Sequence, residues 1–125
     1  MLNELFLFLI LLQVKHWYID FVNQTNEEVA SKGIYGDRAG LNHSIKQGVG
    51  TLLIVWFVTG FPYLFWAILL GVIDFIAHYH IDWAKININK TYNYTVQDKQ
   101  FWAWLGADQL AHQLTYIGLA WMMFG

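Results

Sequence analysis

The sequence predicts an all-α protein: a four-helix transmembrane bundle of up-down-up-down topology, with a polar His/Asp site near one membrane face. Three observations carry that prediction. Of 125 residues, 57% are hydrophobic and 13% charged, about half the charged share of an ordinary soluble domain. Trp, Tyr and Phe number 7, 7 and 9, more apolar surface than a globule of this size can hide from water. The ionisable residues, finally, gather at one end of each apolar segment. The length admits a single transmembrane domain over 1–125, with helices expected at about 2–22, 42–59, 62–86 and 97–124.

The first helix opens on the apolar run 5–12 and continues through Val14, Trp17, Ile19 and Phe21. It lacks a basic leader and a small-residue cleavage site, so it reads as a retained helix rather than a signal peptide. Residues 23–42 are polar and carry Gly33, Gly36 and Gly40, which reads as a loop with at most a short helix at 27–32. The second helix carries His43 near its start and ends where Gly60 and Pro62 interrupt it; Pro62 suits the first turn of the third. Residues 87–96, rich in Asn, Thr and Tyr, read as a loop before a fourth helix that is apolar on most sides. Each helix is about long enough to cross a hydrocarbon core about 30 Å thick at about 1.5 Å per residue.

Net charge of -2 with seven basic residues excludes a nucleic-acid footprint. The absence of cysteine excludes disulfides and thiolate-held metals, so any ion must be bound by imidazole and carboxylate. His16 and Asp20, His78 and Asp82, and Asp108 and His112 are three pairs spaced four apart, each on one helix face. His16 and Asp20 end the first helix, His43 begins the second, His78 and Asp82 end the third, and Asp108 and His112 lie in the first half of the fourth. The up-down topology therefore brings all seven to one membrane level. Ionisable groups in such segments are rare unless they pair or work on something. His16, Asp20, His43, His78, Asp82, Asp108 and His112 are the candidate metal ligands, with Asp82 and Asp108 the candidate catalytic carboxylates. Seven candidates exceed the four or so that one zinc ion takes. Either two ions share the site, or one is bound and spare carboxylates orient the imidazoles. His80, two positions from His78, points away and reads as an interfacial contact.

His16-Trp-Tyr-Ile-Asp20, Gln24, Lys32, Leu41 and His43, then His78-Tyr-His-Ile-Asp82 with Lys85, then Phe101 before Asp108-Gln109-Leu-Ala-His112, together resemble the DUF3307 family of small bacterial and phage membrane proteins. The resemblance implies a polytopic membrane protein whose polar positions are His16, Asp20, Gln24, His43, His78, Asp82, Lys85, Asp108, Gln109 and His112. A looser similarity runs to the YdjM-type membrane-bound metal-dependent hydrolases.

The expected function is a metal-binding integral membrane protein. It would use one or two divalent ions, zinc or manganese, to hydrolyse a lipid-like ester or phosphoester at the cytoplasmic interface, with Lys85 or Lys32 neutralising a phosphate. Two other classes stay open. One is a non-catalytic subunit of a larger membrane complex whose His/Asp or metal site stabilises the bundle. The other is a haem or pigment anchor with axial histidines. Membrane lipids are the expected partners. All seven basic residues, Lys15, Lys32, Arg38, Lys46, Lys85, Lys90 and Lys99, lie at the site-bearing helix ends or in the adjoining loops. Basic residues are retained in the cytoplasm, which predicts a multi-pass inner-membrane protein with its site inside and both termini outside.

Overall fold

The structure is a computed structural model describing residues 2–125, and it is all-α. Helix α1 spans Leu2–Trp17 and widens into a π-helical turn, Tyr18–Val22, closed by the Asn23 N–H on the Tyr18 carbonyl at 2.8 Å. Helix α2, Asn26–Ser31, starts at Thr25, whose hydroxyl accepts the Glu28 N–H at 3.1 Å; that side-chain cap satisfies a backbone donor the first turn leaves open. Helix α3, Arg38–Thr59, is capped by Asp37, which accepts the Ala39 N–H. It stops at Gly60, whose φ of 86° suits glycine. After the turn Phe61–Tyr63 come α4, Leu64–Thr91, and α5, Lys99–Phe124.

This corrects the expected four-helix transmembrane bundle. There are five helices, and among the described residues only Leu2–Val22 and Phe61–Thr91 are long and apolar enough to cross a membrane. The reason lies in α3 and α5, which spend their inner faces on polar groups. Helix α3 buries His43, Ser44, Gln47 and Thr51, while Ile45, Val49, Leu53 and Phe57 stay exposed. Helix α5 buries Asp108 and His112, and leaves Leu110, Leu114, Ile117 and Trp121 outside. Polar-in, apolar-out faces dilute the mean hydropathy of both helices. Helix α4, in turn, continues five residues past the expected end at 86. The Asn87 amide donates to the Trp83 carbonyl at 2.9 Å and to the Gly33 carbonyl at 3.1 Å, docking this last stretch on the loop after α2.

Apolar packing is concentrated at the end away from the histidines, where Phe8, Leu12, Val55, Ala67, Leu70 and Leu119 form one buried cluster. Helices α3 and α4 run antiparallel, with His43 opposite His78 and Thr51 opposite Asp74. They touch backbone to backbone at Gly48 and Gly71: a Cβ on Gly48 would sit 2.7 Å from the Gly71 carbonyl oxygen. Crossings of small residues let helices approach closely where lipid supplies no hydrophobic drive. Here the approach sets the gap that the side chains of the next layer must fill.

Candidate metal centre

That layer is a continuous set of buried polar side chains. His43 and His78 are fully buried, and Asp82, Asp108 and His112 nearly so. Three triads, His16–His78–His112, Asp20–His43–His78 and Asp82–Asp108–His112, each bring one ligand atom per residue within 4.8 Å of the others, a spacing suited to chelating a divalent ion. The π-helical turn carries Asp20 into contact with both α3 and α4; such local widenings recur at functional sites.

The tightest grouping has four atoms. His43 Nε2 lies 2.9 Å from Asp20 Oδ1, and His78 Nε2 lies 3.3 Å from it. His78 Nε2 is also 3.3 Å from Asp82 Oδ2 and 3.3 Å from His43 Nε2, while His43 Nε2 and Asp82 Oδ2 are 3.6 Å apart. A tetrahedral ion with bonds of about 2.0–2.1 Å separates its ligand atoms by about 3.3–3.4 Å. The five separations, 2.9 to 3.6 Å, bracket that value, and the donor set, imidazole and carboxylate, suits a divalent ion.

The surroundings fix the imidazoles. Glu28 Oε2 lies 3.0 Å from His43 Nδ1; because a carboxylate only accepts, Nδ1 is the donor on that side, and Nε2 is the nitrogen turned toward Asp20 and the centre. Burial opposes ionisation of Glu28, yet Lys46, in direct ion-pair contact, and His43 hold its carboxyl below the ordinary range. Gln47 donates to Asp20 Oδ1 at 2.9 Å. His16 is engaged at both nitrogens: Nε2 meets Gln109 Oε1 at 2.8 Å and Nδ1 meets the Tyr116 hydroxyl at 3.0 Å. Gln109 also donates to Asp108 Oδ2 at 3.0 Å, so one amide links His16 to Asp108. Gln24 donates to the Asp20 carbonyl. His80 stands apart, exposed, and contacts the Tyr35 hydroxyl.

On the α5 side, His112 Nε2 is 3.2 Å from Asp82 Oδ1 and 3.5 Å from Asp108 Oδ1. Two ammonium groups border the carboxylates, Lys32 at 3.1 Å from Asp82 Oδ2 and Lys85 at 3.3 Å from Asp108 Oδ2. Neither side chain snorkels: the Lys32 and Lys85 side chains are 9% and 15% exposed. Asp82 Oδ2 and Asp108 Oδ1 are buried acceptors without a well-directed hydrogen bond, since Lys32 approaches Asp82 off the direction such a bond needs. Buried carboxylate oxygens left in that state are costly, and a cation is what relieves them. Residues 7–124 match the family described as protein of unknown function, DUF3307.

The chain belongs to the DUF3307 family. No curated protein and no solved structure matches it. In this DUF3307 protein, the structure adds residues that the sequence pattern did not single out. Glu28 lies in the short helix expected at 27–32 but carries no role in the sequence pattern, although Thr25-x-x-Glu28 has the signature of a helix start. Gln47 and Tyr116 look like ordinary helix residues. Lys15, counted only as a basic residue near a helix end, is buried one layer deeper. Its ammonium donates to the Gln47 carbonyl, Thr51 Oγ1 and Asp74 Oδ2 at 3.2, 3.0 and 2.6 Å. A lone Lys and a lone Asp in two apolar segments were the available signal, because such charges persist in apolar surroundings when paired.

Proposed function

We propose that this protein is a membrane-associated, divalent-metal-dependent hydrolase acting on a lipid-like phosphoester or ester. The observation that carries the reading is the convergence of His43 Nε2, His78 Nε2, Asp20 Oδ1 and Asp82 Oδ2, with separations of 2.9 to 3.6 Å that bracket the ligand spacing of a zinc or manganese shell. A divalent ion supplies Lewis acidity, activating water and polarising a phosphoryl or carbonyl oxygen. Asp108, through its free Oδ1, holds metal or takes the proton of the attacking water. Lys32 and Lys85 neutralise the anionic head group. The ester bond to phosphorus or carbon then breaks, and the leaving alcohol receives the proton.

The outward apolar faces and the two long apolar helices support a bilayer setting. A groove of about 180 Å³ between α4 and α5 supports an amphiphilic substrate: Ile81, Ala84, Ile88 and Trp104 form its walls, and Lys85 and Asp108 its polar end. The larger cavity of about 900 Å³ beside α2 is lined by none of the His/Asp ligand candidates. A second reading, an ion that only braces the bundle, is favoured by the number of side chains converging there, four around His43 and His78, since structural zinc sites fill all four positions with protein and catalytic ones keep one open. The stacked rings of His78 and His112, with centroids 4.1 Å apart, count against a haem slot between the histidines.

Purified protein loaded with Co²⁺ is expected to show the intense visible bands of four-coordinate cobalt. Glu28→Gln should weaken metal affinity about 10- to 100-fold by releasing the His43 orientation. The zinc or manganese form should cleave a phospholipid or polyprenyl phosphate panel above the Asp108→Asn background. Bands without turnover would leave the bracing role; no bound metal at all would overturn both.

We infer that the site-bearing end faces the cytoplasm. Lys15 is consumed by its ion pair, but the six other basic residues cluster at that end or in its loops. A cysteine at Gln97 is expected to react with an impermeant thiol reagent only in opened cells; reaction in intact spheroplasts would reverse the orientation.

A further inference from the structure

We propose that the site takes a second divalent ion, held by Asp82 Oδ1, Asp108 Oδ1 and His112 Nε2, with the Asp82 carboxylate bridging it to the first. This rests on the first centre proposed above and names where the reacting anion binds. The two oxygens of Asp82 face different neighbours: Oδ2 lies 3.3 Å from His78 Nε2, and Oδ1 lies 3.2 Å from His112 Nε2. A single ion at the first centre uses Oδ2 and leaves Oδ1 and His112 directed at one another beside Asp108. Asp108 Oδ1 is buried, lacks a well-directed hydrogen bond, and is 3.5 Å from His112 Nε2. An unpartnered carboxylate oxygen in a side chain about 1% exposed is the independent sign that a cation belongs there.

The second set differs from the first in number. The first offers four protein side chains. The second has three, because both nitrogens of His16, the nearest further imidazole, are engaged by Gln109 and Tyr116. Three protein ligands leave one position open, the arrangement of catalytic rather than structural sites. That position adjoins Lys85 and the apolar groove between α4 and α5.

Charge agrees with an anionic ligand. Asp82 faces the ammonium group of Lys32 and Asp108 that of Lys85, and Asp20 adds a third carboxylate beside His78, so one divalent ion more than neutralises the cluster and two leave it strongly positive. A phosphate group, on a lipid or free, has the chemistry to complete the open position. A neutral carboxylic ester does not offset the excess charge.

The experiment is metal stoichiometry with manganese spectroscopy on the whole chain in detergent. Wild type is expected to bind two Mn²⁺ per chain and to give an exchange-coupled spectrum, as ions about 3.5–4 Å apart do. Asp108→Asn should bind one, with the spectrum of an isolated ion. His112→Gln serves in the same way should Asp108→Asn fail to fold. Inorganic phosphate should perturb the coupled spectrum and leave that of the one-ion variant unchanged. The same perturbation by short-chain phosphatidic acid, at a concentration where phosphate has no effect, would identify a lipid source. One isolated ion in wild type would overturn the second site and leave the first standing; no ion would overturn both. Two coupled ions in Asp108→Asn would overturn the ligand assignment.

Discussion

Asp82→Asn is expected to lower divalent-metal affinity about 100- to 1000-fold and to take turnover to background. Asp82 joins both halves of the site: His43 and His78 approach Oδ2, His112 approaches Oδ1, and Lys32 stands 3.1 Å from Oδ2. Apparent binding energies of structural zinc are about 10–16 kcal/mol spread over four ligands, so one ligand carries about 3–4 kcal/mol. At about 1.4 kcal/mol per decade this gives the stated range. Asparagine keeps the shape but removes the charge, and it strands the Lys32 ammonium in a nearly dry site. Part of the lost fold stability should therefore return in Asp82→Asn with Lys32→Met, while metal affinity should not. Competition against a chromophoric chelator measures the affinity. An Asp82→Asn protein that binds within about threefold of wild type would remove Asp82 from the ligand set, and with it the bridge.

The second large effect lies below the His/Asp layer. Lys15→Met and Asp74→Asn are each expected to cost about 3–5 kcal/mol, because each leaves the partner's charge buried without compensation. The pair is almost dry, with side chains 6% and 1% exposed, and Thr51 donates a further hydrogen bond to Asp74 Oδ2 at 2.6 Å. Gly50 leaves room for the lysine stem, since a Cβ there would meet Lys15 Cδ at 2.6 Å, and the ammonium lies 4.8 Å from the centre of the Tyr116 ring. Such a loss is a large part of the 5–15 kcal/mol typical of folded domains. The double variant Lys15→Met with Asp74→Asn removes both charges and should be less destabilised than either single change. Thermal or denaturant unfolding in a fixed detergent reads this coupling. Strict additivity of the two substitutions would show that the ion pair does not hold the three helices together.

Both effects follow from positions that differ in how visible they are in the chain. The pairs His16/Asp20, His78/Asp82 and Asp108/His112 repeat every four residues, a local property that helix geometry turns into a shared face. All six reach the buried layer, joined by His43. The helical class was legible for the same reason. The number of helices that could cross a bilayer was not. Total apolar content led to four spans, whereas α3 and α5 place their polar residues inward and fall short of spanning hydropathy.

Glu28, Gln47, Tyr116 and Gln109 owe their roles to partners between 15 and 100 positions away. No periodicity marks such a partner. Glu28 reaches His43 because α2 folds over the start of α3, and Asp20 reaches His43 and His78 through a π-helical turn that no motif announced. By itself the sequence determined that the chain is helical, that its ionisable side chains lie in stripes, and that any ion must be held by nitrogen and oxygen. Only the tertiary structure decided which atoms converge. Spacing along a helix is fixed by 3.6 residues per turn, but separations of 2.9 to 3.6 Å between ligand atoms depend on how closely the helices approach, and here that is set by the Gly48–Gly71 crossing and the packing of α2.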